Sequence, residues 1–132
     1  MHNYIFSETK KIFDKKKINM KKSRILFLGY TFKENCSDIR NSRSLELAKR
    51  MSKFCKSVNL FDPEASPKLK NTNKIKILKS IKGKFDLIIV VVKHNKFKKY
   101  TSNFFRSHLK KNSIFIDLFR HYNGRIKTDF NL

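Results

Sequence analysis

Thr31, Lys33, Asn35, Asp38, Arg40 and Arg43 crowd one polar stretch of the chain, and three of the six are cations. Just before them, Ile25-Leu26-Phe27-Leu28 reads as a short buried strand closed by Gly29. Just after them, Leu45, Ala48, Met51 and Cys55 recur at helical spacing, so a helix starts near Ser42 or Ser44 and runs to about Lys56. Strand, polar loop and helix start form the arrangement that receives phosphates. The first N–H groups of a helix have no partner within it, and its dipole favours anions. Lys33 suits that task as a flexible point charge, although a solvated loop lysine would look the same. Asp38, an acid in a basic loop, reads as an orienting or helix-start group.

Other chemistries fail on counting. With only Gly29, Gly83 and Gly124, neither a G-x-G-x-x-G dinucleotide fingerprint nor a P-loop can be written. Cys36 and Cys55 show no CxxC pairing, so no zinc site or disulfide framework is signalled. The cationic loop would lower the pKa of a thiol at Cys36, but a catalytic use is not expected. Cys55 falls on the apolar face of its helix with Leu47, Met51 and Phe54 and reads as a buried structural thiol.

Positioning these residues falls to one domain of 132 residues, enough for a core but short for a two-site enzyme. Ile5, Thr9, Ile12 and Phe13 mark a helix over 1–17. Val58 to Phe61 is a second strand ending in Asp62-Pro63, where the acid could hold a ribose or, as we favour, start a turn. Residues 64–83 are hardest to read: Ser66-Pro67 could open a short helix, and Ile75, Ile77, Leu78 and Ile81 fit a helix face or a small strand. Phe85 to Val92 is apolar at nearly every position, as in a central parallel strand covered on both faces. His94 follows it and reads first as a hydrogen-bonded structural residue. Phe97, Tyr100, Phe104 and Phe105 come next at helical intervals, then a last strand, Ile114 to Leu118, and a basic tail from Arg120 to Lys127. The expected fold is α/β, a three-layer Rossmann-like sandwich with a mostly parallel sheet, preceded by an N-terminal helix. Its strands' carboxyl ends carry Thr31 to Lys33, Asp62, His94 and Asp117 with Arg120, and these form one candidate cleft.

The charge is extreme: 32 basic and 10 acidic residues, formally +22. Such an excess invites a nucleic-acid or membrane partner. Lys outnumbers Arg by 25 to 7 and is spread over the whole chain, however, so specific nucleic-acid binding is not expected. The apolar run Leu87 to Val92 is too short to span a bilayer, and the polar N-terminus is no signal peptide. The chain reads as cytoplasmic with reduced thiols and no membrane partner.

The segment GYTFKENCSDIRNS, with its F-K-x-x-x-x-D-x-R core, resembles the opening of the C-terminal domain of the UDP-glucose/GDP-mannose dehydrogenase family. The likeness points to bacterial UDP-N-acetyl-hexosamine 6-dehydrogenases, which make uronic acids for surface polysaccharides. It implies a division into residues 1–22, a helix left from the inter-domain region, and 23–132, a UDP-sugar-binding domain. Phe32 and Lys33 match the family's pair that contacts the UDP-sugar, and Arg40 matches the arginine that reaches NAD across the domain gap. NAD itself is bound mainly by a first domain that this segment does not contain, where the catalytic Cys, Lys and Asp also lie. A separate chain carrying that domain is therefore a possible partner, and this chain alone is expected to be inactive. Members place Lys or Arg soon after the acid of the last strand. Here Phe119 takes that place and Arg120 comes one residue late, which leaves substrate closure open. Rival readings are a fragment of the longer enzyme, a UDP-sugar sensor without chemistry, a gene remnant, or a basic nucleic-acid-associated protein.

Overall fold

The computed structural model describes residues 2–31, 33, 35, 37–39, 42–65, 70–72 and 74–132. Among them, five strands form one wholly parallel sheet: β1 (Arg24–Leu28), β2 (Ser57–Phe61), β3 (Ile75–Ile77), β4 (Phe85–Val90) and β5 (Leu109–Asp117). Their spatial order is β3-β2-β1-β4-β5. The chain therefore works outward from β1 on one side and returns past it to place β4 on the other. That reversal leaves a crevice between the loops after β1 and β4, where open α/β sheets receive ligands.

Strand pleating explains the two cores. Ile25, Phe27, Val58, Leu60, Leu87, Ile89, Ile114 and Ile116 share one face. Against it pack Ile5, Phe6 and Phe13 of α1 (His2–Lys15) and Leu47, Ala48 and Met51 of α2 (Arg43–Ser52). Leu26, Leu28, Ile88, Val90 and Phe115 point the other way, toward Phe97, Phe105 and Tyr122. That second face is covered by a 3-10 turn (Asn95–Lys99), α3 (Ser102–His108) and the turns after β5. The sandwich is three-layered as expected, and α1 belongs to its hydrophobic core.

Several local expectations needed correction. Helix α2 stops at Ser52 rather than Lys56, because the chain must reverse to enter β2 at Ser57. Phe54 consequently lies 43% exposed, with its ring against Phe6, and leaves the apolar face assigned to it. Cys55 is a buried free thiol, and burial pushes its pKa up to about 11. The isoleucines of 64–83 supply the short edge strand β3, whereas Ser66-Pro67 lies outside the described residues. The central strand ends at Val90, before Val92. The aromatic run after it is split by Thr101, whose hydroxyl caps α3 by accepting the Phe104 N–H. Strand β5 begins five residues before Ile114, since its first half is exposed and polar and carries no apolar signal. Its outer edge is covered by the chain end, where Phe130 bridges Ile116 and the Leu132 N–H donates to the Leu118 carbonyl.

Candidate functional site

The site rests on two buried carboxylates. Asp62 ends β2, and its Oδ2 accepts the N–H groups of Tyr30 at 2.8 Å and Thr31 at 3.1 Å and the Nε2–H of His94 at 2.9 Å. Its Oδ1 accepts the Glu64 N–H at 2.8 Å. Burial alone would raise this carboxyl's pKa. The bonds from His94, Tyr30 and Glu64 outweigh it and hold the pKa below its ordinary value. His94 is wholly buried, and its Nδ1 accepts the Asn35 N–H at 2.9 Å. An imidazole nitrogen that accepts an N–H carries no proton, so the proton sits on Nε2 and points at Asp62, with Thr31 Oγ1 at 3.0 Å. Asn35 completes the junction with its side-chain Oδ1, which accepts the Asn95 N–H at 2.9 Å.

Asp117 plays the second part at the end of β5. Its two oxygens accept the N–H groups of His121 and Tyr122 at 2.8 and 2.9 Å, which fixes the turn that follows. His121 donates from Nε2 to the His94 carbonyl at 2.8 Å, and Tyr122 donates its hydroxyl to the Phe97 carbonyl at 2.7 Å. The turns after β4 and β5 are thereby tied together. Burial pushes the His121 pKa below its ordinary 6.5, against the raising pull of the His94 carbonyl and Asp117 and with Lys93 and Lys98 adding to the fall.

Above this framework lies an open basin of about 590 Å³, lined by Asn35, Lys93, Asn95, Lys98, Arg120, His121, Asn123 and Arg125. It sits at the carboxyl ends of β1, β4 and β5. Four cations and three carboxamides face it, with no carboxylate among the described residues of its wall. Such a lining suits a compact polyanion: ammonium and guanidinium groups neutralise phosphate charge, and the carboxamides supply directional hydrogen bonds. Arg120 adopts a left-handed φ of 57° and its Nε donates to Asn131 Oδ1 at 3.2 Å, which holds the side chain over the basin rim.

The cleft expected from the strand ends is therefore rearranged. Thr31, Asp62, His94 and Asp117 do gather there, but all four are buried beneath the basin as its framework. Asp62, 3% exposed and bonded through both oxygens, serves the turn and has no open edge for a ribose. Of the expected contact residues, Arg120 lines the basin, and Lys33 stands exposed two residues before Asn35. Phe32, Arg40 and Cys36 lie outside the described residues. The contributions of Lys93, Lys98 and Arg125 went unnoticed in the sequence. Lysines flanking the buried strand end at His94 were the available signal, hidden in a chain where lysine is everywhere.

A model of the UDP binding domain of the UDP-glucose/GDP-mannose dehydrogenase family matches residues 26–124, from within β1 to the turns after β5. The chain belongs to this family. It corresponds to the family's C-terminal UDP-binding domain. UDP-N-acetyl-D-glucosamine 6-dehydrogenase of Salmonella typhi is 37% identical to it over 120 residues, which are 89% of this chain and 28% of the relative. The enzyme of the same name from Pseudomonas aeruginosa is 29% identical over the same shares. The chain thus spans less than a third of either dehydrogenase. The fold recurs in the solved UDP-D-ManNAc dehydrogenase of Pyrococcus horikoshii, with a TM-score of 0.71 at 21% identity over 88% of this chain and 26% of that one. An NDP-N-acetyl-D-galactosaminuronic acid dehydrogenase from Methanosarcina mazei Go1 matches at the same TM-score and identity, over 88% of this chain and 24% of its own.

Proposed function

We propose that this chain binds a UDP-sugar and forms the nucleotide-sugar half of an NAD-dependent 6-dehydrogenase, which oxidises the sugar C6 alcohol to a uronic acid for surface polysaccharide. The observation that carries the reading is the basin of Lys93, Lys98, Arg120 and Arg125 at the sheet's switch point, with no carboxylate among its described lining residues, in a member of a UDP-binding-domain family. In this reading residues 23–132 are the binding domain and 1–22 belong to the inter-domain region. Phe32, Lys33 and Arg120 contact the UDP-sugar, and Arg40 reaches NAD. NAD and the catalytic groups come from an NAD-binding domain outside these 132 residues, for which a separate chain is one possible source, in the cytoplasm. No described helix is long and apolar enough to cross a membrane. A sensor that binds the same ligand without chemistry is distinguished only by its lack of that partner.

Calorimetric titration with UDP tests the site. Lys33→Ala should weaken binding by about 10- to 150-fold, because a charge-assisted bond to phosphate contributes about 1.5–3 kcal/mol. Lys111→Ala, on the exposed start of β5, should matter far less. Equal losses from the two substitutions would mean that diffuse charge, and no built site, attracts the nucleotide.

A further inference from the structure

Among the described residues, one imidazole and one carboxamide supply side-chain hydrogen bonds between the segment after β1 and the segment after β4. The Asn35 N–H ends on His94 Nδ1 at 2.9 Å, and the Asn95 N–H returns to Asn35 Oδ1 at 2.9 Å. Asn35 holds a left-handed φ of 57°, which asparagine tolerates and which aims its N–H inward. Two residues earlier stands the exposed Lys33, whose carbonyl accepts the Thr31 hydroxyl at 3.3 Å.

We infer that His94 is the positioning residue of the ligand loop: its neutral imidazole latches the segment carrying Lys33, and a proton on Nδ1 releases it. An imidazolium has two donors and no acceptor, so the Asn35 N–H would then face another N–H. The opposite side of the ring is unaffected, since Nε2–H keeps its bond to the Asp62 carboxylate at 2.9 Å. Release is therefore local and leaves the framework intact. Among the described residues, the groups facing the ring are Asp62 from the end of β2, Thr31 and Asn35 from the segment after β1, and Phe97, whose ring lies edge-on at 5.3 Å. His121 bonds the His94 backbone carbonyl, and Lys93 and Lys98 line the basin beside it. The latch stands on this geometry, whereas its effect on ligand binding rests on the UDP-sugar reading above.

The sign of the pH effect separates the latch from bulk electrostatics. Acidification adds positive charge to the basin through His121, which alone would tighten an anion. Release of the latch loosens it. UDP-N-acetylglucosamine is a suitable probe, because its diphosphate is a diester whose charge stays constant over the range. Calorimetry on the full chain should show affinity falling about tenfold between about pH 7.5 and about pH 5.5. His94→Asn places an acceptor where Nδ1 lies and cannot titrate, so it should bind within about threefold of wild type and lose the pH slope. His94→Gln reaches only the Nε2 position and should bind weakly at both pH values. Rising wild-type affinity on acidification, or an unchanged slope in His94→Asn, would overturn the proposal.

Asn35→Gly removes the bond to Asn95 at an exposed site without disturbing the core, and should cost about threefold in affinity. If both His94 variants misfold, ligand-free nitrogen-15 NMR decides. The Asn35 amide should be protected at the higher pH and lose protection with the same midpoint as the His94 ring; an amide indifferent to that titration sinks the latch. Should the NMR signature appear while wild type binds no UDP-N-acetylglucosamine at pH 7.5, the functional reading falls and the latch stands.

Discussion

Asp62 shows how a single carboxylate can hold a site together without touching a ligand. Three backbone N–H groups and one imidazole converge on its two oxygens, and they fix where β1 ends and how the next loop leaves the sheet. Its pKa in the folded chain is held below the ordinary 3.8. A depressed acid stabilises the fold above its unfolded pKa, and that stability is lost as pH falls through the folded value. Asp62→Asn should therefore be less stable than wild type at neutral pH by about 1.5–3 kcal/mol, the worth of charge-assisted bonds. Its stability should also fall less steeply below about pH 4. Urea unfolding followed by circular dichroism across that range checks both outcomes, and parallel acid limbs would assign the acid loss to other carboxylates.

At the scale of elements, the decisive junction is the exit from β1. Gly29 has φ +96°, and a Cβ there would stand 2.6 Å from Val92 Cβ and 2.8 Å from its Cγ2. Its N–H donates to the Phe61 carbonyl at 2.8 Å, which keeps β1 and β2 paired to their ends. Gly29→Ala should cost about 2–4 kcal/mol, since left-handed strain and overpacking add. Gly124→Ala shares a positive φ of 81° but meets nothing within 4 Å, so it should cost only about 1 kcal/mol. Comparing the two unfolding midpoints isolates the steric part. A Gly29→Ala chain no less stable than Gly124→Ala would mean that β1 and the Val92 turn can separate freely. Tyr122→Phe is a milder probe of the opposite wall. It leaves the buried Phe97 carbonyl without its 2.7 Å bond and should cost about 1–2 kcal/mol.

For the molecule as a whole, the question is what a +22 chain does with its charge. Exposed lysines surround the fold, yet the basin concentrates four cations at the one place where the sheet's topology opens a crevice. Diffuse charge and a built site respond differently to salt, and binding that ignores the nucleotide should fade steeply as salt rises. Purified alone, the chain should form no NADH from UDP-N-acetylglucosamine and NAD, because hydride transfer requires a nicotinamide site. Mixed with a chain that supplies an NAD domain, it should turn over. Arg40→Lys should then lower the rate or NAD affinity about tenfold, about 1.4 kcal/mol, while UDP affinity of the isolated chain stays unchanged. Turnover by the isolated wild-type chain, or loss of UDP binding in Arg40→Lys, would contradict this division of labour.

Much of this architecture was written in local patterns. Largely apolar runs at 25–28, 58–61, 85–92 and 114–118 and the helical spacing of Ile5, Thr9 and Phe13 specify α/β layers, because burial on both faces of a parallel strand strongly favours apolar side chains. The motif that carries the family likeness was legible because its residue types sit next to one another in sequence. The polar half of β5 was not, since exposed strand residues obey no apolar rule. Nor was the early end of α2, which is imposed by the return to β2. Above all, no spacing could reveal that Asp62, His94 and Asn35 share hydrogen bonds, or that Lys93, Lys98, Arg120 and Arg125 face one basin. Those residues lie on loops after different strands, and only the β3-β2-β1-β4-β5 order brings the loops together. Burial pattern is a property of each segment by itself, whereas convergence of charge depends on how the segments cross.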